Sequence, residues 1–154
     1  MNDYISTRDA HQSVSSKQAI LNGMSPDGGL YVLPTLDKIH LDLSLICSKS
    51  YKENAVYILS HLLTDYTKEE LVACVGNAYA NSFSKKEITP VKKVDDVYIL
   101  ELFHGPTCAF KDVALTLFPQ LISCALKTTN QKALILTATS GDTGKAALSA
   151  SCDA

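Results

Sequence analysis

Apolar positions recur with two different periods along this chain, and the change of period divides it. In the first half the spacing is helical. Ser15 or Ser16 can cap a short helix running through Leu21, and Gly23 would end it. Pro26-Asp27-Gly28-Gly29 marks a turn, followed by a short strand from Leu30 to Leu33 and then Pro34. From Tyr51 to Leu63 the apolar residues Ala55, Val56, Leu59, Leu62 and Leu63 fall on one helical face. Thr67 and Glu70 form a capping box for a further helix, whose stripe is Leu71, Val75, Ala78 and Tyr79. Two adjacent amphipathic helices with a short polar join predict a small helical packing unit.

The second half predicts strand, helix, strand, helix. Val97 to Leu102 is rich in strand formers, and Leu134 to Thr137 is a second short apolar run. Between them a helix is expected from about Cys108 to Lys127, with Phe110, Val113, Leu117, Leu121 and Ile122 on its stripe. Pro119 must kink that helix or begin a second segment, because an interior proline costs about 3 kcal/mol. This alternation is the signature of an α/β layer with a parallel sheet. The boundary between the halves is expected between Ser84 and Pro90, giving units 1–86 and 87–154.

Composition narrows the function classes. Of 154 residues, 46% are hydrophobic and 19% charged, a globular profile. The net charge of −2 leaves no basic footprint for nucleic acid. No apolar run approaches the ~20 residues that span a bilayer. Met1 to Gln12 is polar, carries Asp3 and Asp9, and lacks the layout of a secretory signal, so the expected location is cytoplasmic. Cys47, Cys74, Cys108, Cys124 and Cys152 show no CxxC and no metal-ligand spacing with histidine. They are expected to be reduced thiols, most of them serving as small buried hydrophobes, with no metal bound.

Two loops carry candidate chemistry. The first is Glu101-Leu-Phe-His-Gly-Pro-Thr-Cys-Ala-Phe-Lys-Asp112, which leaves a strand, turns at Gly105-Pro106 and enters a helix with Thr107 as the expected N-cap. Lys111 would then lie one turn into the helix, where the dipole disfavours a cation by on the order of 0.3–1 kcal/mol. Apolar neighbours would add to that penalty and favour the neutral, nucleophilic amine that Schiff-base chemistry needs. On the residues alone an alternative stands beside this: Lys111 reaches water and pairs with a surface acid. The second loop is Ala138-Thr-Ser-Gly-Asp-Thr-Gly-Lys145, between a strand and a helix. Its small residues and the free N–H groups of the helix start suit an anion. A capped turn without ligand fits equally well. It is not a Walker P-loop, which would need glycine in place of Thr139 and serine or threonine in place of Ala146.

Taken together, these loops resemble threonine synthases. ELFHGPTCAFKD is similar to the family's cofactor-lysine segment and TATSGDTGKAAL to its substrate-binding loop. Tyr4-Ile-Ser-Thr-Arg8 and Ser25-Pro-Asp-Gly-Gly-Leu-Tyr-Val32 look like its amino-terminal signatures, in the right order, so the resemblance runs from residue 4 to about 150. It implies the start of a fold-type II α/β enzyme behind a mainly helical amino-terminal domain. The implied cofactor is pyridoxal 5'-phosphate, held by Lys111, which would also shuttle protons. The implied reaction converts O-phosphohomoserine and water to threonine and phosphate. Ser140, Gly141, Asp142 and Thr143 would bind the substrate carboxylate, with the Asp142 side chain turned away. Lys145 is expected to be solvated, or else to attract the anionic substrate. His104 would touch the cofactor or bond locally, Asp112 would answer the helix dipole, and Tyr4–Arg8 would be structural. Cys108 is given no role.

The family's Gly-rich loop for the cofactor phosphate and its partner for the pyridine nitrogen come later than any residue of this chain. The resemblance therefore implies an amino-terminal fragment that binds the cofactor weakly and does not turn over alone, with open sheet edges that favour self-association. Other readings are a different fold-type II enzyme, of threonine dehydratase or cysteine synthase type, or a non-catalytic module that keeps this shape.

Overall fold

The computed structural model describes residues 3–129, 131–139 and 141–152. The chain opens with strands β1 (Tyr4–Ser6) and β2 (Ser13–Val14), helix α1 (Ser16–Asn22) and strand β3 (Tyr31–Val32). β1 is the centre of a three-stranded antiparallel sheet in the order β2-β1-β3. As the sequence predicts, Ser15 caps α1 by accepting the Gln18 N–H, and Gly23 ends it at φ 70°. At that φ a side chain would be strained.

The two amino-terminal signatures are one folded unit. The Ser6 hydroxyl donates to the Asp27 carboxylate at 2.7 and 2.8 Å, and the Gly29 N–H donates to the same group at 2.8 Å. Arg8 Nη1 donates to the Asp27 carbonyl at 3.1 Å. Arg8 is thus engaged in holding the turn, in line with a structural role for this segment. The Gly29 N–H, then the Ser6 hydroxyl, hold the Asp27 carboxyl below its ordinary value of 3.8. A depressed carboxyl stabilises the fold above its unfolded value and loses that contribution as pH falls through the folded one. Asp27→Asn is therefore expected to lower stability at neutral pH and to flatten its decline below about pH 4, checked by urea unfolding across that range.

Helices α2 (Leu43–Cys47), α3 (Tyr51–Leu62) and α4 (Lys68–Ala78) follow. Ser50 with Glu53, and Thr67 with Glu70, form complete capping boxes at the starts of α3 and α4. α4 buries Leu71, Cys74, Val75 and Ala78, the i, i+3, i+4, i+7 stripe of an amphipathic helix. It packs against α3 and against α6 (Phe118–Leu126), and α6 also packs on α1. Leu71 joins Leu63, Tyr66, Leu121 and Ala125 in the core, with the buried thiols of Cys74 and Cys124 among them. Burial pushes the Cys74 thiol up to about 11. That suits the small-hydrophobe reading of these two cysteines, but the reading fails for most of the five, since Cys47, Cys108 and Cys152 are exposed.

The second half departs from its sequence pattern in three places. Strand β5 (Val97–Leu100) pairs antiparallel with β4 (Val91–Val94), a strand that sequence analysis missed, through a two-residue loop with Asp95 at φ 50°. Among the described residues the two sheets are antiparallel, and no parallel pair forms. Leu134 to Thr137 is not a strand: residues 131–139 have no regular structure, with Leu134 82% and Leu136 84% exposed. A strand exists only where a neighbour accepts its hydrogen bonds, and the described chain offers this segment none. The helix expected from about Cys108 starts only at Asp112, and it is divided, as Pro119 predicts, into α5 (Asp112–Leu115) and α6. Pro119 sits in the first turn of α6, where its missing N–H costs little. The chain closes with α7 (Asp142–Ser151), which packs against α5. No helix among the described residues is long and apolar enough to cross a membrane.

Candidate active site

The loop after β5 is folded by polar contacts that local sequence does not announce. His104 is buried, with Nε2 2.7 Å from Glu101 Oε2 and Nδ1 3.3 Å from Ser84 Oγ. The Ser84 N–H donates to the His104 carbonyl at 2.9 Å. His104 thus bonds locally, to side chains as well as backbone, and ties the start of the loop to the segment before β4.

Lys111 does not sit one turn inside a helix. It is the N-cap residue of α5, and no side chain caps that helix. The expected cap, Thr107, is spent elsewhere: its N–H donates to Asp112 Oδ2 at 2.8 Å and its hydroxyl to Asp112 Oδ1 at 2.6 Å. Asp112 is 1% exposed and turns back across the loop. A Cβ on Gly105 would overlap the Asp112 side chain, so only glycine fits there. Cys108 N–H donates to the Gly105 carbonyl at 3.1 Å, with Cys108 itself at φ 61°. The premise that apolar neighbours bury Lys111 holds in part. Its side chain is half-buried, but Phe110 is 61% exposed and lies beneath Nζ, 5.2 Å from ring centroid to amine. Among the described residues Lys111 makes no ion pair.

α5 is anchored from below. The Tyr79 hydroxyl, at the end of α4, donates to the Val113 carbonyl at 2.6 Å. On its other side lies α7, which Gly141 opens with no side-chain cap. Thr139 supplies the nearest substitute, accepting the Gly144 N–H at 2.8 Å. Gly144 is buried against the Thr139 hydroxyl and has no room for a side chain. Gly141 and Asp142 are exposed, Thr143 is half-buried and Lys145 is exposed; Ser140 lies outside the described residues. Packing of α5 on α7 brings the helix that Lys111 opens beside the helix that Gly141 opens. Thr116, just past α5, and Ser149 and Ala150, near the end of α7, line one cavity of about 480 Å³ with Pro106 and Gln120. The far ends of the two helices therefore face the same space. The expectation that both loops leave strand ends holds only for the first, since no strand precedes the second. No group of three or more His, Cys, Asp or Glu side chains among the described residues could hold a metal ion.

The arrangement offers a primary amine on a loop held by side-chain hydrogen bonds and a glycine-containing helix start whose first residues are exposed, on adjacent helices. The Glu101–His104–Ser84 link and the Thr107–Asp112 closure are not legible in the sequence pattern. The one local signal for the latter was a glycine, a threonine and an acid placed around a single lysine.

Comparison with known proteins gives a consistent answer. Residues 3–79 match the family model "Threonine synthase N terminus". Threonine synthase of Corynebacterium glutamicum is 37% identical over 153 residues, covering 94% of this chain and 32% of the relative. That of Methylobacillus glycogenes is 38% identical over 154 residues, with the same coverage. The crystal structure of pyridoxal-phosphate-bound threonine synthase from Brucella melitensis superposes with a TM-score of 0.87 at 34% identity, covering 97% of this chain and 32% of that one. This chain thus spans about a third of the length of the relatives it matches. Its mixed helix-and-sheet fold is that of their amino-terminal part, and the chain belongs to the threonine synthase N-terminal family.

Proposed function

We propose that this chain is the amino-terminal part of a pyridoxal-phosphate-dependent threonine synthase, a lyase of threonine biosynthesis that converts O-phosphohomoserine and water to threonine and phosphate. The observation that carries the reading is Lys111: an amine that pairs with no acid among the described residues, on a loop whose backbone is held on both sides. Such an amine fits the cofactor's aldehyde. When bound, pyridoxal phosphate supplies that aldehyde and an electron sink for charge developing beside the substrate nitrogen. Lys111 Nζ would hold the cofactor and then take and return protons.

The start of α7 would bind the substrate carboxylate. Ser140 and Thr143 bring hydroxyls; Gly141 and Asp142 bring backbone N–H groups at the positive end of a ten-residue helix. An ionised Asp142 side chain repels a carboxylate, and its exposure lets it stay in water. The cofactor phosphate and pyridine nitrogen are assigned to no residue described here.

The same reading divides the chain into a mainly helical unit, 1–86, and the beginning of the catalytic α/β unit, 87–154. The match of the family model over residues 3–79 supports the first unit. We infer a cytoplasmic protein with a small-molecule substrate and no nucleic-acid partner, in line with its net charge of −2. The chain alone is proposed to self-associate, because β4 and β5 are exposed throughout, as are Leu134 and Leu136. Sedimentation at rising concentration checks this, and a single monomer boundary throughout would refute it.

The test of the function is product analysis. The whole protein, loaded with pyridoxal phosphate, is expected to yield one threonine and one phosphate per O-phosphohomoserine consumed. A 2-keto acid and ammonia from threonine would instead assign a dehydratase.

A further inference from the structure

We propose that Asp112 is a positioning residue for Lys111, acting through Thr107. The inference rests on the reading of Lys111 as the cofactor lysine. Asp112 is the most deeply buried carboxylate among the described residues, at 1% exposure, and no cation pairs with it there. A buried charge without a counter-ion is costly, so its two hydrogen bonds have to be well made. Both come from one residue, Thr107: the N–H at 2.8 Å and the hydroxyl at 2.6 Å.

Those two bonds close a ring of backbone from Thr107 to Asp112, and Lys111 lies inside it. The ring contains Cys108 at φ 61°. A non-glycine residue there is strained and persists only where its surroundings enforce it. The enforcing contacts are Thr107 to Asp112 on one side and Gly105 against Asp112 on the other. Below the ring, the Asp112 carbonyl accepts the Thr116 hydroxyl at 2.8 Å, and Tyr79 holds the Val113 carbonyl. The Lys111 side chain makes no hydrogen bond or ion pair among the described residues, and its amine lies over the Phe110 ring of the same turn. The backbone that carries both Lys111 and Phe110 is fixed by Asp112, so Asp112 aims the amine through that backbone.

The test reads where pyridoxal phosphate is captured, not how fast the enzyme turns over. The whole protein is incubated with pyridoxal phosphate, reduced with borohydride, digested and mapped, and the label on Lys111 is compared with that on the other lysines. Asp112→Asn removes the charge, Thr107→Val removes the hydroxyl bond, and Thr107→Ser keeps both donors. Circular dichroism and melting confirm that each variant is folded. Losing one charge-assisted hydrogen bond is expected to lower the preference for Lys111 by about tenfold or more in Asp112→Asn and Thr107→Val. Thr107→Ser is expected to retain it. If Asp112→Asn does not fold, Thr107→Val against Thr107→Ser carries the comparison. Folded Asp112→Asn and Thr107→Val proteins that still label Lys111 as selectively as the wild type would overturn the positioning role and leave the cofactor lysine standing. A wild type with no preference for Lys111 would overturn the cofactor reading, and this inference with it.

Discussion

Replacing Lys111 with alanine is expected to lower threonine formation by the whole protein by about 10²–10⁴-fold or more, the range for losing a positioned acid–base group. The loss should appear in kcat, since the substrate carboxylate is proposed to bind at the start of α7, on a different helix. Alanine cannot hold the cofactor or carry a proton, whereas the turn itself should survive. Its closing bonds run between Thr107 and Asp112, and the residue 111 carbonyl still accepts the Leu115 N–H, 2.8 Å away in the present structure. Steady-state phosphate release with a melting curve on the same sample makes the measurement. A folded alanine variant that retains a tenth of the wild-type rate would remove Lys111 from the chemistry.

The second large effect concerns the fold. Leu71 is wholly buried, at 0% exposure, where α4 meets α6 and the end of α3. Leu71→Ala should cost about 2–5 kcal/mol, because deleting buried methyl groups loses their transfer energy and leaves a cavity. Set against a total of roughly 5–15 kcal/mol for a native domain, this is enough to populate unfolded chain. Denaturant unfolding of the variant reads it as a lower midpoint. A loss under about 1 kcal/mol would mean that α4 and α6 do not share this core.

How much of the structure was legible depended on how local each cause is. Ser15 and Gly23 around α1, and the capping boxes Ser50–Glu53 and Thr67–Glu70, are satisfied within a few residues. Those at α1 and α4 could be read straight from the chain. The stripe of α4 was legible for the same reason, since a helix sorts its own faces. Strands are different. Val91-Lys-Lys-Val94 has no apolar alternation, yet it pairs with β5; Leu134 to Thr137 has the composition of a strand and no partner among the described residues. Pairing is a property of two segments, and no single segment carries it.

The site divides in the same way. Lys111 and the loop of Ser140, Gly141, Asp142 and Thr143 stood out through their motifs. The geometry around Lys111 did not, because Thr107 was expected to cap a helix and instead serves Asp112. Lys111 is the N-cap residue of α5 instead of lying one turn inside a helix. The partner that Thr107 takes was unreadable from spacing, whereas the break at Pro119 was legible.

The most direct measurement of the central claim is the location of the captured cofactor. The whole protein, loaded with pyridoxal phosphate, is reduced with borohydride, and the modified peptide is identified by mass spectrometry. The expected result is one dominant adduct, on Lys111. A dominant adduct on Lys145, or label spread evenly over the exposed lysines, would contradict it.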